Sequence, residues 1–114
     1  MLFRSAAGMS DEAFERTMNT NVRSAIWLAN MTAPLMAQRG GGSFMIVSSV
    51  AGLVGQASIG LYGLSKAADM ALVRNLAVEW GPKNVRFNAI VPGLVKTDFA
   101  KALWDDPEIG RAHV

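Results

Sequence analysis

The chain has 114 residues, one domain at most, and its 51% apolar and 18% charged residues describe a globular protein with a real core, not a disordered one. The formal net charge is +2 with a pI near 9.4, yet the 11 basic residues are scattered, which argues against a nucleic-acid partner. With no cysteine, disulfides and thiolate metal sites are excluded and no metal is expected; the composition fits a reducing compartment such as the cytoplasm.

No basic n-region precedes an apolar h-region at the start, so no secretory signal is expected. Ser10, followed by Asp11 and Glu12, marks a helix start: a side-chain cap, then carboxylates favoured by the N-terminal dipole. Phe14, Met18, Val22, Ala25, Ile26, Ala29 and Met36 recur at helical spacing. Pro34 removes one ladder bond and predicts a bend near Asn30. RGGGS (39–43) ends the helix, and FMIVS (44–48) reads as a short strand buried on both faces.

A glycine-bearing loop, SVAGLVGQASIG (49–60), leads to a second helix from about Ile59 to Trp80, stopped by Gly81-Pro82. One flank carries Leu61, Leu64, Ala68, Leu72 and Leu76; Ala67, Met70, Ala71 and Val78 lie around the other. A helix apolar nearly all round needs cover beyond its own sheet. VRFNAIV (85–91) is a second strand, closed by VPG. Helix, strand, helix, strand at these lengths predicts an α/β fold: part of a Rossmann-like, doubly wound parallel sheet with a right-handed crossover. Two strands do not make a sheet that stands alone. Gly40 to Ser65 is uncharged and long enough to span a bilayer, but polar and small residues interrupt it after four apolar ones. No membrane segment is expected.

Residues 62–66 read YGLSK, and Tyr62 is the chain's one tyrosine. Positions i and i+4 share a helix face, so a phenol and an ammonium would sit side by side. In open α/β sheets ligands bind beyond the carboxyl ends of the strands, where Ser48, Ser49, Pro92, Gly93 and the start of the second helix all fall. Bland readings exist for each: a solvated Asn21, serines and a Pro-Gly that merely end strands, and tryptophans (Trp27, Trp80, Trp104) that pack.

Taken together, NTNV (19–22), VSSVAG (47–52), YGLSK (62–66) and NAIVPGLVKTD (88–98) resemble the short-chain dehydrogenase/reductase family, in order and spacing, from Met9 to about Leu103. The resemblance implies a catalytic tetrad of Asn21, Ser49, Tyr62 and Lys66. It also implies an NAD or NADP cofactor touched by Tyr62, Lys66, Pro92, Gly93, Val95 and Thr97. The substrate would be a small alcohol or ketone. Hydride exchange with a carbinol carbon requires a proton to move at its oxygen, and Tyr62 would be that acid/base. A free phenol titrates near pH 10, and Lys66 alongside would lower that value. Lysine's three donors also suit ribose hydroxyls. Ser49 would hydrogen-bond the substrate oxygen, and Asn21, a poor helix former, would anchor a water-linked relay to Lys66.

Other parts of the family pattern are missing. No TGxxxGxG turn to cradle pyrophosphate at a helix N-terminus is present, nor the NNAG strand or the last strand. Residues 1–108 therefore read as the catalytic part of the domain, cut at both ends, expected to be inactive alone and active within its full-length parent. IGRAHV (109–114) fits nothing the family places there and matches one reading frame of a common sequencing-adapter oligonucleotide; it is expected to be non-native. Family members pair their two long helices, so the parent is expected to be a homodimer or homotetramer using Ala67, Met70, Ala71 and Val78. The competing reading is a non-catalytic α/β interaction module, or an inactive truncated product. The full tetrad argues against the first of these.

Overall fold

Ser10 caps the first helix, α1 (Asp11–Met18), its hydroxyl accepting the Ala13 N–H at 3.1 Å with Asp11 and Glu12 in the first turn. The computed structural model describes Ser5 and residues 7–94. The expected first helix is not continuous. Asn19–Arg23 form a π-helical turn before α2 (Ser24–Gln38) resumes α geometry. α2 continues through Pro34, so the departure from α geometry falls at that turn and not near Asn30.

Gly40 and Gly41 end the run at φ 99° and 147°, values that L side chains rarely adopt. Asn84, itself left-handed at φ 63°, closes this corner: its Nδ2 donates to the Gly40 carbonyl at 2.9 Å and its own carbonyl accepts the Gly42 N–H at 3.1 Å. From there β1 (Gly42–Val47) runs parallel to β2 (Val85–Ile90), in register from Gly42 opposite Val85 to Val47 opposite Ile90. The crossover holds a 3₁₀ turn (Val50–Gly52), then α3 (Gly60–Trp80), which ends at Gly81-Pro82 as expected. Helix–strand–helix–strand with a parallel sheet is the predicted α/β architecture.

One sheet face carries the core. Ile46, Val85 and Phe87 meet Ala29 and Ala33 of α2 and Val73 and Leu76 of α3, with the Phe44 and Phe87 rings 5.2 Å apart. The prediction that β1 is buried on both faces is not met, because α2 and α3 both cover this one face. Met45, Val47 and Ile90 on the other face are about half exposed. The buried stripe of α3 is also rotated from the predicted flank: Leu61, Ser65, Asp69, Val73 and Leu76 point inward, while Leu64 is exposed. Two polar side chains on that stripe concealed its phase in the sequence. Among the described residues no helix is long and apolar enough to cross a membrane.

Candidate active site

Past the ends of the strands the ladder continues into the loops: Ser48 N–H donates to the Ile90 carbonyl at 2.7 Å and Val50 N–H to the Pro92 carbonyl at 3.1 Å. This holds Ser48 to Val50 beside Pro92 at the carboxyl edge of the sheet. Ser49 caps the 3₁₀ turn, its hydroxyl accepting the Ala51 N–H at 3.1 Å, and it hydrogen-bonds the Tyr62 phenol in the first turn of α3. Two close approaches set that pairing. A Cβ on Gly63 would lie 2.5 Å from the Ala51 carbonyl oxygen, and one on Gly52 would lie 2.8 Å from the Ala67 nitrogen. The turn therefore rests directly on the helix backbone.

Lys66 and Ser48 tie α3 to the end of β1. The ammonium donates to the Val47 carbonyl at 2.9 Å, and the Ser48 hydroxyl donates to the Lys66 carbonyl at 2.8 Å. Lys66 Nζ stands 5.6 Å from the centroid of the Tyr62 ring, as the i, i+4 spacing predicts. Asn21 arrives from the π turn. Its Nδ2 donates to Ser65 Oγ at 2.9 Å, and that hydroxyl donates to the Tyr62 carbonyl at 2.7 Å. π turns insert one residue into a helix and recur at functional sites. Here the turn carries the asparagine whose side chain crosses to α3, arriving one residue before Lys66.

The structure thus brings Asn21, Ser49, Tyr62 and Lys66 together, with Pro92 beside Ser49 and Gly93 exposed at the same edge. Val95, Thr97, Trp104 and residues 109–114 lie outside the described residues. Three further groups, which sequence reasoning left unassigned, complete the cluster. Ser48 and Ser65 are buried and hydrogen-bonded, and Asp69 is a buried carboxyl 3.9 Å from Lys66 Nζ. The available signal was spacing: Ser65 follows Tyr62 by three positions and Asp69 follows Lys66 by three, one helical face. No group of three or more histidine, cysteine or acidic side chains is placed to hold a metal among the described residues.

One electrostatic expectation is reversed. The Tyr62 phenol titrates above its ordinary value, because burial disfavours the phenolate and the charge of Asp69 adds to that; the Ser49 hydrogen bond opposes both. Burial is a tertiary quantity, which the i, i+4 spacing does not reveal. Asp69 is itself pushed up to about 6 by burial, with Lys66 acting in the opposite sense.

A serine, a phenol and an ammonium thus stand together at the carboxyl edge of a parallel α/β sheet of Rossmann type. A family model described as Enoyl-(Acyl carrier protein) reductase matches residues 2–114, the final six included. Dehydrogenase/reductase SDR family member 4 of Bos taurus is 41% identical over 105 residues, which cover 92% of this chain and 38% of that protein. A short-chain type dehydrogenase/reductase from Mycobacterium ulcerans superposes with a TM-score of 0.87 at 33% identity, over 96% of this chain and 40% of the other. ElxO, solved with NADP bound, gives 0.82 at 27% identity, covering 95% of this chain and 44% of its own. The chain belongs to the short-chain dehydrogenase/reductase family. It spans about 38% of the length of such curated relatives.

Proposed function

We propose that this chain carries the catalytic side of an NAD(P)-dependent oxidoreductase that moves hydride between a nicotinamide cofactor and a secondary alcohol or ketone, with Tyr62 as general acid/base. The observation that carries this reading is the Ser49–Tyr62 hydrogen bond with Lys66 over the same ring, at the edge where α/β sheets bind ligands. Chemistry of the donor set supports the cofactor. Lys66 gives one hydrogen bond to Val47, and an ammonium has three donors, which leaves hydrogens for the two hydroxyls of a ribose. When bound, the nicotinamide supplies or accepts the hydride, which no side chain can do.

The chain's residues do the rest. In reduction the Tyr62 phenol gives its proton to the substrate oxygen; in oxidation the phenolate takes it. The Ser49 hydroxyl donates to that oxygen as its negative charge develops. Lys66 holds ribose and favours the phenolate, while Asn21 pins the first turn of α3 through Ser65. Nothing in the sequence cradles pyrophosphate, so the 114 residues alone are expected to turn over no substrate, and the activity belongs to the whole protein. We place the chain in a reducing compartment such as the cytoplasm, which the cysteine-free composition of these 114 residues fits.

Titrating the whole protein with NADH and NADPH and following turnover tests the reading. Lys66→Ala should weaken cofactor binding and lower turnover together, because one ammonium serves ribose and phenol. Unchanged cofactor affinity in that variant would remove the proposed ribose contact. Association is a second expectation. Trp27, Met31 and Leu35 on α2 and Ala71 and Val78 on α3 are exposed, while Ala67 and Met70 are half-buried near Gly52. We propose a two-fold pairing through these helices. Sedimentation should find a dimer or tetramer at micromolar protein; a monomer there sinks the idea.

A further inference from the structure

Asp69 is the one charged side chain among the described residues that is fully buried, at 1% exposure. Its Oδ2 lies 3.9 Å from Lys66 Nζ, an ion pair too long for a hydrogen bond. Its Oδ1 is sealed from solvent and has no hydrogen-bond partner among the described residues. A carboxylate held this way costs stability, and an apolar residue of similar volume would fill the place at lower cost. The charge therefore calls for a use, and the groups within its reach are the two that would do the chemistry.

We infer that Asp69 is a positioning residue: sealed from solvent three positions beyond Lys66 on the same helix, its carboxylate sets where the ammonium sits beside the Tyr62 ring. The inference rests on the reading of Tyr62 and Lys66 given above. Geometry carries the inference. Lys66 is drawn one way by the Val47 carbonyl and the other by Asp69, so its direction depends on whether the carboxyl is charged. Asp69 also acts on Tyr62 directly, by raising its titration point. Among the described residues no other charged side chain is buried with it. Those of α1, Arg23 of the π turn and Arg86 of β2 are exposed, and the 3₁₀ turn offers only the neutral Ser49 hydroxyl. With Asp69 titrating near 6, its charge is present at neutral pH and lost in mild acid.

The sign for stability follows from that raised value. The unfolded chain releases this proton near pH 4, whereas the fold retains it until about 6. Ionisation of Asp69 therefore costs nothing well below pH 4, and its cost grows as pH rises from there to about 6 and stays constant above.

The test uses the whole protein without cofactor. Ultraviolet titration of the wild type minus its Tyr62→Phe variant isolates the one phenol, and the same difference is taken in Asp69→Asn and Asp69→Leu backgrounds. Both substitutions should move the phenol midpoint to lower pH. The melting temperature of both variants relative to the wild type should be higher at pH 8 than at pH 3, where the carboxyl is neutral in fold and unfolded chain alike. A phenol midpoint that stays in place in either folded variant overturns the proposal. So does failure of both variants to fold, which would make Asp69 a purely structural residue. Because the titration needs neither substrate nor cofactor, its failure is distinct from failure of the oxidoreductase reading, which the turnover measurements address.

Discussion

Replacing Tyr62 by phenylalanine should lower turnover of the whole protein by about 10²- to 10⁴-fold, the usual worth of a positioned acid/base, while cofactor affinity changes little. Lys66 keeps its bond to the Val47 carbonyl in that variant, so the ribose-binding ammonium stays in place. Ser49 keeps the Ala51 N–H, so the 3₁₀ turn should hold. Only the proton carrier is lost. The pH dependence sharpens the expectation. Burial holds the phenol protonated beyond its ordinary range, so the acid form prevails near neutrality. Ketone reduction should therefore be supported there, and alcohol oxidation should climb as pH rises toward ionisation of Tyr62. Steady-state rates in both directions from pH 6 to 10 check this. Near-normal turnover in Tyr62→Phe would reduce YGLSK to an ordinary turn of helix.

Features written in local chemistry are legible in the sequence alone. The Ser10 cap and the Gly81-Pro82 stop depend on one or two residues and their immediate neighbours, and the parallel pairing follows from the strand–helix–strand order. Tyr62 and Lys66 were legible for the same reason, since i, i+4 spacing fixes adjacency. Asn21 stood out as a poor helix former, but its π turn did not, because hydrophobic period cannot register a single inserted residue. Sequence reasoning leaves Ser65 and Asp69 unassigned. Both are buried, Ser65 against Asn21 of the π turn and Asp69 beside Lys66, and no periodicity shows that. Tyr62's titration was misjudged for the same reason. Charge proximity could be read from spacing, whereas desolvation depends on everything packed around the ring. The open sheet face, with Met45, Val47 and Ile90 exposed, is the counterpart error: an apolar run signals burial without saying by what.

Gly63→Ala should damage the enzyme although alanine is the better helix former. At an ordinary exposed helix position this change would stabilise by about 1 kcal/mol. Here the added methyl would lie 2.5 Å from the Ala51 carbonyl oxygen, closer than real Cβ contacts come. Backbone stands on both sides, so no flexible side chain can yield. The 3₁₀ turn must lift by several tenths of an ångström, and it carries Ser49. Overpacking of this kind costs roughly 1–3 kcal/mol, which outweighs the gain in helix propensity. Its effect on chemistry should be larger. Ser49 would be displaced from the Tyr62 phenol, and a misplacement on the order of 1 Å can cost about 10²-fold in rate. The expected result is a turnover loss of that order with Tyr62 and Lys66 both intact, accompanied by a lower melting temperature. Gly55→Ala is the control, because a Cβ there meets nothing within 4 Å and should leave both quantities unchanged. Normal turnover in Gly63→Ala would mean that the contact between turn and helix does not set the Ser49–Tyr62 geometry.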